Sequence, residues 1–421
     1  MNEPKVTVIL PTRERGDALE SALRTVTEQR YENLEILVSD NCSHDRTGEI
    51  ARSTGDRRVR YLNTGRRLSM SHNWEFALSH VTGGAGWVTI IGDDDGLLPG
   101  SVEKVAGLIR EAPPDVQAIR SDVCFYLWPS LTQNKSGRLA VPLKSGREIR
   151  SSREWLSRVM RGRATYLDLP MLYNGGYVSI AVMNHIKART GAFYQSCIPD
   201  VYSAVAIASV TDRYLYMNEP LAISGSSSHS TGRSQFTDAN DGVGGMSPAR
   251  QFASEGNIPF HAQVPLCADG SYPASLQAMV YESYLQSSAL RTEDGPPAPR
   301  PPDRHAEQLE LILAGAGGAG GGGGPHETSI GEWARRFAAA HGLNLDAIQS
   351  KARIRKRWWR GRAAWRRVSR LINTYSVGSP DLPIPNVYEA SLLAGRLRSA
   401  RAIRLENLRR LAGRALEHVT R

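Results

Sequence analysis

The stretch W-V-T-I-I-G-D-D-D-G-L-L-P-G, residues 87–100, decides the fold class of this chain. Its apolar residues 88–91 are rich in β-branched side chains and too few for a helix, which predicts a buried strand. Asp93, Asp94 and Asp95 follow at once. Adjacent carboxylates repel one another and resist desolvation, whereas Mg²⁺ and Mn²⁺ prefer carboxylate and phosphate oxygens as ligands. We therefore predict a metal–phosphate site at this strand end, with an acidic turn that only caps the next helix as the alternative.

Strands and helices alternate on both sides of this stretch. Apolar runs predict further strands at 6–10, 34–38, 59–62 and 118–121, separated by segments of helical spacing. Such alternation is typical of a parallel, doubly wound α/β sheet whose two faces are covered by helices. Polar residues collect after the strands, and in a parallel sheet these turns converge on one crevice. We expect the ligands to bind in that crevice.

Four motifs, in this order along the chain, resemble those of family-two glycosyltransferases with the GT-A fold. They read V-T-V-I-L-P-T-R-E-R, E-I-L-V-S-D-N-C-S-H-D-R-T, S-H-N-W-E-F-A-L and I-I-G-D-D-D-G-L-L-P-G. The resemblance covers residues 5–122, continues less clearly to about residue 232 and leaves out the C-terminal tail. It implies an α/β, GT-A type, doubly wound and mostly parallel sheet with an acceptor subdomain. It also implies an inverting reaction that uses a nucleotide-diphosphate sugar.

The resemblance implies a role for each matching polar residue near the nucleotide. It assigns the base and ribose pocket to Pro11, Thr12 and Arg13, and it makes Asn73 a further candidate for binding the donor. Asp40 would accept a hydrogen bond from the ring N–H of the pyrimidine, which selects uracil or thymine over cytosine. Asp93 would lie beside the ribose. The chain departs from the family at Gly92, where Asp is frequent, and at Glu14, where Asn is frequent.

The resemblance also implies a divalent cofactor, Mn²⁺ or Mg²⁺, that bridges the diphosphate. Asp94 would ligate this metal, and Asp95 is a second predicted ligand. His229, in the Ser- and Gly-rich stretch 225–232, resembles a histidine that some family members place on the metal or the diphosphate. The alternative for His229 is an exposed side chain in a mobile loop.

Residues 123–232 are interpreted as the acceptor half of the enzyme. A strand is predicted at 178–183, and Pro199 and Asp200 precede an apolar helix at 201–210. Asp200 matches the place where the family keeps its catalytic base, which takes the proton of the acceptor hydroxyl. The alternative is that Asp200 only caps the helix, and the two roles are compatible.

The C-terminal tail has a different charge from the rest. Residues 331–421 hold 20 Lys and Arg against 6 Asp and Glu, whereas residues 1–330 hold 32 against 36. Residues 351–370 contain ten Lys and Arg and no acid. The apolar residues of this segment form one helical stripe: Ile354, Trp358, Trp365, Val368 and Ile372. This pattern predicts that 351–372 lies on an anionic membrane surface, with nucleic-acid binding or a solvated basic helix as alternatives. We expect no nucleic-acid partner.

The composition indicates four parts in the chain: a nucleotide-sugar-binding half at 1–123, an acceptor and catalytic-base half at 124–245, a helical packing segment with Pro- and Gly-rich linkers at 246–330, and the basic helical tail at 331–421. Four cysteines without a C-x-x-C pair suit a reducing compartment. No signal peptide is visible after Met1, and no apolar run approaches the roughly 20 residues that span a bilayer. We expect a cytoplasmic protein, peripheral at the inner face of the cell membrane.

These observations together predict a metal-dependent, inverting glycosyltransferase. The donor would be a UDP- or dTDP-sugar, and the acceptor a hydroxyl of a cell-envelope glycan or a lipid-linked glycan. One alternative is a metal-dependent nucleotidyltransferase, which would need a basic phosphate-binding loop near the N-terminus; only Arg13 and Arg15 hint at one. The other is a non-catalytic, membrane-associated protein that binds nucleotide sugars. The intact aspartate triplet together with Asp200 argues against the second alternative.

Overall fold

One mixed sheet runs through the described part of the chain. The computed structural model describes residues 3–132, 136–228, 255–291, 301–316, 325–378 and 383–399. The strands described there are β1 (Val6–Thr12), β2 (Leu34–Asp40), β3 (Val59–Asn63), β4 (Trp87–Ile90), β5 (Gly96–Leu97), β6 (Ala118–Leu127), β7 (Arg138–Pro142), β8 (Arg147–Ser151), β9 (Gly176–Ser179), β10 (Arg213–Ser226) and β11 (Thr374–Val377).

The helices alternate with the strands in the first half of the chain and dominate the last third. In the described residues they are α1 (Gly16–Thr27), α2 (Thr47–Ser53), α3 (Met70–Ser79), α4 (Ser101–Glu111), α5 (Ser152–Met160), α6 (Ile180–Thr190), α7 (Pro199–Val210), α8 (Leu276–Gln286), α9 (Pro301–Gly315), α10 (Pro325–Ala340), α11 (Leu345–Asn373) and α12 (Val387–Ser399).

The N-terminal half of the sheet is parallel, in the order β3-β2-β1-β4. All seven residues of β1 and of β2 are buried, as expected for strands with helices on both faces. The pairing runs from Val6 opposite Leu34 to Thr12 opposite Asp40, so the polar ends of both strands lie at one edge. Beyond β4 the sheet continues antiparallel through β9 and β6 to β7. The predicted GT-A type α/β class with a helical C-terminal region is confirmed.

The strand predicted at 178–183 is wrong beyond its second residue. The chain forms β9 only to Ser179 and then enters α6. The hydroxyl of Ser179 accepts a hydrogen bond from the backbone N–H of Val182, which makes Ser179 the N-cap of that helix. An apolar run of this length is compatible with a buried helix as well as with a strand, and here the capping serine decides between them.

The C-terminal region returns to the sheet after α11. Strand β11 pairs antiparallel with β7, from Thr374 opposite Pro142 to Val377 opposite Leu139. Helix α12 buries Val387, Ala390 and Ala394 in the main hydrophobic core. The sequence analysis predicted helices in this region but neither this strand nor the burial of α12. Strand β11 thus ties the C-terminal end of the basic helix α11 to the sheet.

Helix α12 supports the turn that carries the three aspartates. A side chain placed at Gly96, the residue after the triplet, would lie 3.1 Å from a methyl group of Val387. The hydroxyl of Ser391 donates a hydrogen bond to the backbone oxygen of Leu97, at 2.7 Å. No described helix is long and apolar enough to cross a membrane.

We predict that Val387→Ala lowers the free energy of unfolding by about 2 kcal/mol, since it removes two methyl groups from a site with no exposed area. Chemical denaturation measures this change. The matched control is Glu389→Ala, an exposed side chain on the same helix, which we expect to change the free energy by less than about 0.5 kcal/mol. Equal stability of Val387→Ala and the wild type would show that α12 is not part of the core.

Candidate active site

The polar ends of β1 and β2 and the turn after β4 meet at one edge of the sheet. The hydroxyl of Thr12 donates to Asp93 Oδ2 at 2.9 Å, and the backbone N–H of Asn41 donates to the oxygen of Thr12 at 2.9 Å. Pro11, one residue earlier, is buried in β1 opposite Ser39. The structure therefore brings together the residues that were predicted for one crevice.

Asp93 is held by two residues of the first strand and its following loop. Besides Thr12, Arg15 Nη1 donates to Asp93 Oδ1 at 2.7 Å, and it lies 4.0 Å from Asp94 Oδ2. Burial raises the pKa of Asp93, although the charge of Arg15 opposes that change. The sequence analysis gave Arg15 no role in this site, and the Arg-x-Arg spacing at 13–15 was the available signal.

Asp94 lies where strand β10 passes over the aspartate turn. Ser227 donates its hydroxyl to Asp94 Oδ2 at 2.8 Å, and Trp128 Nε1 donates to the backbone oxygen of Asp94 at 3.0 Å. A side chain on Gly225 would lie 1.8 Å from that same backbone oxygen, so only glycine permits this approach. Asp94 is thus fixed from two sides by segments distant in sequence.

Asp95 is the most completely bonded of the three aspartates. Its Oδ2 accepts from the hydroxyl of Tyr173 at 2.6 Å and from the backbone N–H of Gly92 at 2.8 Å, and its Oδ1 accepts from the N–H of Gly225 at 2.7 Å. Burial and the neighbouring charge of Asp94 raise the pKa of Asp95 to about 7. These bonds orient the turn, and the predicted contact of Asp95 with a metal stays a prediction.

The structure explains why Gly92 stands where the family frequently has Asp. A side chain there would approach Asp95 Oδ2 to 2.9 Å and the Tyr173 hydroxyl to 3.1 Å. The Tyr173 hydroxyl thus occupies the space that a larger residue at 92 would need.

Asp40 and Asn73 are buried at the end of β2. Asp40 accepts hydrogen bonds from the hydroxyl of Tyr61 at 2.5 Å, from Asn63 Nδ2 at 3.2 Å and from the backbone N–H of Ser43 at 2.9 Å. Asn73 Oδ1, from α3, accepts from the hydroxyl of Ser39 at 2.8 Å. Both side chains lie at the predicted edge of the sheet. Their contacts with a nucleotide stay predictions.

Arg13 and Glu14 have partners outside the predicted nucleotide pocket. Arg13 makes a bidentate ion pair with Glu255, at 2.6 and 2.7 Å. Glu14, in the left-handed region at φ 51°, pairs with Arg67 and accepts from the backbone N–H of His44. These ion pairs join the loop after β1 to the segments that carry Glu255 and Arg67.

Asp200 lies in the first turn of α7 and is partly exposed. The N-cap of this helix is Ile198, so the alternative that Asp200 is the capping residue is wrong. The hydroxyl of Tyr166 donates to Asp200 Oδ2 at 3.2 Å. Burial raises the pKa of Asp200 above its ordinary value, which increases the basicity of the carboxylate.

Tyr173 donates its hydroxyl to Asp95 of the aspartate turn and also feels the charge of Asp200. Burial raises the pKa of Tyr173 well above its ordinary value, and the charges of Asp95, Asp94 and Asp200 add to this effect. The sequence patterns described above gave no role to Tyr173, which begins the Y-N-G-G-Y stretch at 173–177. Its position in a glycine-rich turn was the only available signal for a role in the site.

The three predicted metal ligands, Asp94, Asp95 and His229, stay predictions. Among the described residues, no group of three or more His, Cys, Asp and Glu side chains is arranged to hold a metal ion. A carboxylate oxygen of Asp94 nevertheless suits Mg²⁺ or Mn²⁺, which often take one or two carboxylates and complete their shell with phosphate oxygens and water. His229 lies outside the described residues.

Comparison with known proteins identifies the family of the first part of the chain. Residues 7–166 match the family model described as "Glycosyl transferase family 2". This segment is a glycosyltransferase family 2 domain, and the resemblance inferred from the four motifs is confirmed.

Two curated relatives match parts of the chain. It is 35% identical over 102 residues to the GalNAc(5)-diNAcBac-PP-undecaprenol beta-1,3-glucosyltransferase of Campylobacter jejuni, which covers 24% of this chain and 32% of that protein. It is 30% identical over 104 residues to an uncharacterized protein of Mycobacterium tuberculosis, with coverages of 25% and 32%. The chain thus spans about one third of the length of both relatives.

Solved structures that align with the chain are more distant in sequence. S. aureus TarS 1-349 in complex with UDP-GlcNAc aligns with a TM-score of 0.44 at 12% identity, over 85% of this chain and 92% of that one.

Proposed function

We propose that this chain is an inverting, metal-dependent glycosyltransferase. It moves a sugar from a UDP- or dTDP-sugar to a hydroxyl of a cell-envelope or lipid-linked glycan. The observation that carries the proposal is that Asp94 and Asp200 both lie beside one short segment: Tyr166 donates to Asp200, and Tyr173 donates to Asp95, the neighbour of Asp94. One carboxylate suits a diphosphate-bound cation, and the other suits a general base at the acceptor.

The donor nucleotide would lie along the edge formed by β1, β2 and the aspartate turn. Asp40 Oδ1 accepts one hydrogen bond, from Ser43, and a carboxylate oxygen has a second lone pair for the ring N–H of uracil or thymine. Thr12 and Arg15 hold Asp93 near the proposed ribose position. This edge is the usual ligand position of an open α/β sheet.

The diphosphate would lie over Asp94. A bound Mn²⁺ or Mg²⁺ would neutralise the charge that develops on the departing diphosphate. Ser227 holds Asp94 Oδ2 in place, and Asp95, through its three hydrogen bonds, holds the turn on which Asp94 sits. Such preorganisation reduces the rearrangement needed when charge develops in the transition state.

Asp200 would remove the proton of the acceptor hydroxyl as that oxygen attacks the anomeric carbon. The new bond joins the acceptor oxygen to the anomeric carbon, the bond from that carbon to the diphosphate oxygen breaks, and the proton passes to Asp200. Its raised pKa makes Asp200 a stronger base than an exposed aspartate. A single direct displacement inverts the anomeric configuration.

The acceptor proposal is supported by the relative and by helix α11. The C. jejuni relative is named for an undecaprenol-linked substrate. One face of α11 packs inward, where Ile348 and Ala352 are buried and Arg355 pairs with Glu310 of α9 at 2.6 Å. The outward face of α11, in contrast, exposes large apolar side chains to solvent.

Four large apolar side chains on the outward face of α11 are strongly exposed: Ile354 at 73%, Trp358 at 66%, Val368 at 45% and Ile372 at 45%. Their spacing of 4, 10 and 4 residues keeps them on one stripe of an α-helix. The side chain of Trp365, the fifth predicted member, is not among those described. The ten basic residues of 351–370, with no acid among them, complement an anionic lipid surface. We therefore propose that α11 lies on such a surface and keeps the enzyme near lipid-linked acceptors.

The first prediction for this function concerns the metal. Asp94→Asn should abolish sugar transfer and remove the Mn²⁺-dependent part of UDP binding, because a neutral amide binds a hard cation poorly. Calorimetry with UDP, with and without Mn²⁺, measures the effect, and Asp17→Asn, an exposed residue of α1, is the control. Unchanged Mn²⁺-dependent affinity in Asp94→Asn would contradict the assignment.

The second prediction concerns the base. Asp200→Asn should lower kcat by roughly 10²–10⁴-fold while the donor affinity stays unchanged, since only proton removal is lost. Steady-state kinetics test this beside Asp212→Asn, an exposed residue just after the same helix. Near-normal turnover of Asp200→Asn would show that Asp200 is not the general base and has only a structural role.

The third prediction concerns the outward face of α11. The double variant Ile354→Ser/Trp358→Ser should sediment less with vesicles that contain anionic lipid, whereas Ile149→Ser, at a site 46% exposed on β8, should bind as the wild type does. Each basic residue near such a surface contributes about 1 kcal/mol, so vesicles of neutral lipid should bind the wild type weakly.

Equal sedimentation of the double variant and the wild type would remove the membrane proposal. Tight, salt-sensitive binding of the wild type to RNA or DNA, with none to vesicles, would favour a nucleic-acid surface instead.

A further inference from the structure

Two tyrosines of one short segment contact the two carboxylate sites. Tyr166 donates its hydroxyl to Asp200 Oδ2 at 3.2 Å, and Tyr173, seven residues later, donates to Asp95 Oδ2 at 2.6 Å. The segment therefore touches both the candidate base and the aspartate turn. We call residues 166–174 the tyrosine bridge.

One buried arginine fixes both ends of the tyrosine bridge. Arg120, on β6, is 3% exposed. Its Nε donates to the backbone oxygen of Leu167 at 2.8 Å, and its Nη1 donates to the oxygen of Asn174 at 2.7 Å and to that of Tyr173 at 3.4 Å. Because the guanidinium is planar and its donors have fixed directions, these bonds set the distance between the two ends of the segment.

The Tyr173 end of the bridge is further restrained by its ring. The ring of Tyr173 stacks on Trp74, with the centroids 5.2 Å apart and the planes at 27°. The glycine at position 92 leaves room for the Tyr173 hydroxyl beside Asp95, as described above. Tyr173 is partly exposed, so it can also contact a molecule bound beside the aspartate turn.

We propose that the tyrosine bridge, held by Arg120, is a positioning device that sets the base Asp200 relative to the metal-binding turn. This inference rests on the proposed function. Tyr166, Tyr173 and Arg120 act through the carboxylates and through the backbone, and none of them takes part in bond making.

The Tyr166 hydrogen bond has a measurable consequence for Asp200. The Asp200 carboxylate accepts hydrogen bonds from the Tyr166 hydroxyl and from the backbone N–H groups of Val201 and Asp200, and its charge also raises the pKa values of Tyr173 and Tyr194. A hydrogen bond donated to a carboxylate stabilises its charged form, so loss of the Tyr166 hydroxyl raises the pKa of Asp200. A base must be deprotonated to act, and the acidic limb of the kcat/KM profile should therefore move to higher pH.

The experiment compares Tyr166→Phe, Tyr173→Phe and the wild type in two measurements: the pH profile of kcat/KM, and UDP affinity with and without Mn²⁺. Tyr166→Phe should shift the acidic limb upward and lower kcat/KM on the acidic side about three- to tenfold, with UDP affinity kept. Tyr173→Phe should lower Mn²⁺-dependent UDP affinity about three- to tenfold, because one of three bonds that orient the aspartate turn is lost.

The matched control is Tyr177→Phe. Tyr177 is fully buried three residues after the bridge, and its hydroxyl has no hydrogen-bond partner among the described residues. Its removal should leave the pH profile and the UDP affinity unchanged. Arg120→Lys keeps the charge but loses the forked geometry, and it should produce both effects together.

The outcomes separate this inference from the proposed function. Wild-type protein that transfers no sugar from any UDP- or dTDP-sugar would overturn the proposed function, and the bridge with it. If the wild type transfers sugar but Tyr166→Phe leaves the pH profile of kcat/KM unshifted, the proposed role of the tyrosine bridge is wrong while the proposed function stands. The same holds if Tyr173→Phe leaves the Mn²⁺-dependent UDP affinity unchanged. A control variant Tyr177→Phe that reproduced either effect would also overturn the proposed role of the bridge, because the effect would then follow from any lost tyrosine hydroxyl.

Discussion

Three adjacent, buried carboxylates are the constraint on which the rest of this structure depends. Asp93, Asp94 and Asp95 are 4%, 6% and 1% exposed, and charged groups in such positions need partners. Each aspartate finds them in a different part of the chain. Arg15 and Thr12 hold the first, Ser227 holds the second, and Tyr173 with two backbone N–H groups holds the third. The turn after β4 thus ties together segments far apart in the sequence.

The elements around this turn are placed so that it cannot move freely. Strand β10 passes so close that a side chain at Gly225 would collide with the backbone oxygen of Asp94, and α12 packs behind Gly96. The C-terminal region, which has the composition of a detached basic tail, therefore contributes to the core that supports the site. The basic outward face of α11 is joined to the same sheet through β11, so a membrane-bound helix would hold the catalytic cleft at a defined orientation.

Local sequence patterns predicted the features of this molecule that depend on neighbouring residues. The alternating strands and helices, the aspartates at the end of β4 and the first turn of α7 with Asp200 all follow from periodicity and strand-end chemistry. The sequence did not predict the hydrogen bond from Tyr173 to Asp95, the ion pair of Arg15, or strand β11, because each joins residues far apart along the chain. The misassigned strand at 178–183 shows the related limit, since a short apolar run alone does not distinguish a strand from a helix.

The central claim is that Asp94 and Asp200 act on opposite sides of one bound donor. A crystal structure of the protein with UDP and Mn²⁺ tests it most directly. The account predicts an Mn²⁺ ion bound by an oxygen of Asp94 and by the diphosphate, a uracil ring beside Asp40, and Asp200 facing the diphosphate across Tyr173. A metal held without Asp94, or a nucleotide bound away from the edge formed by β1, β2 and the aspartate turn, would contradict the account.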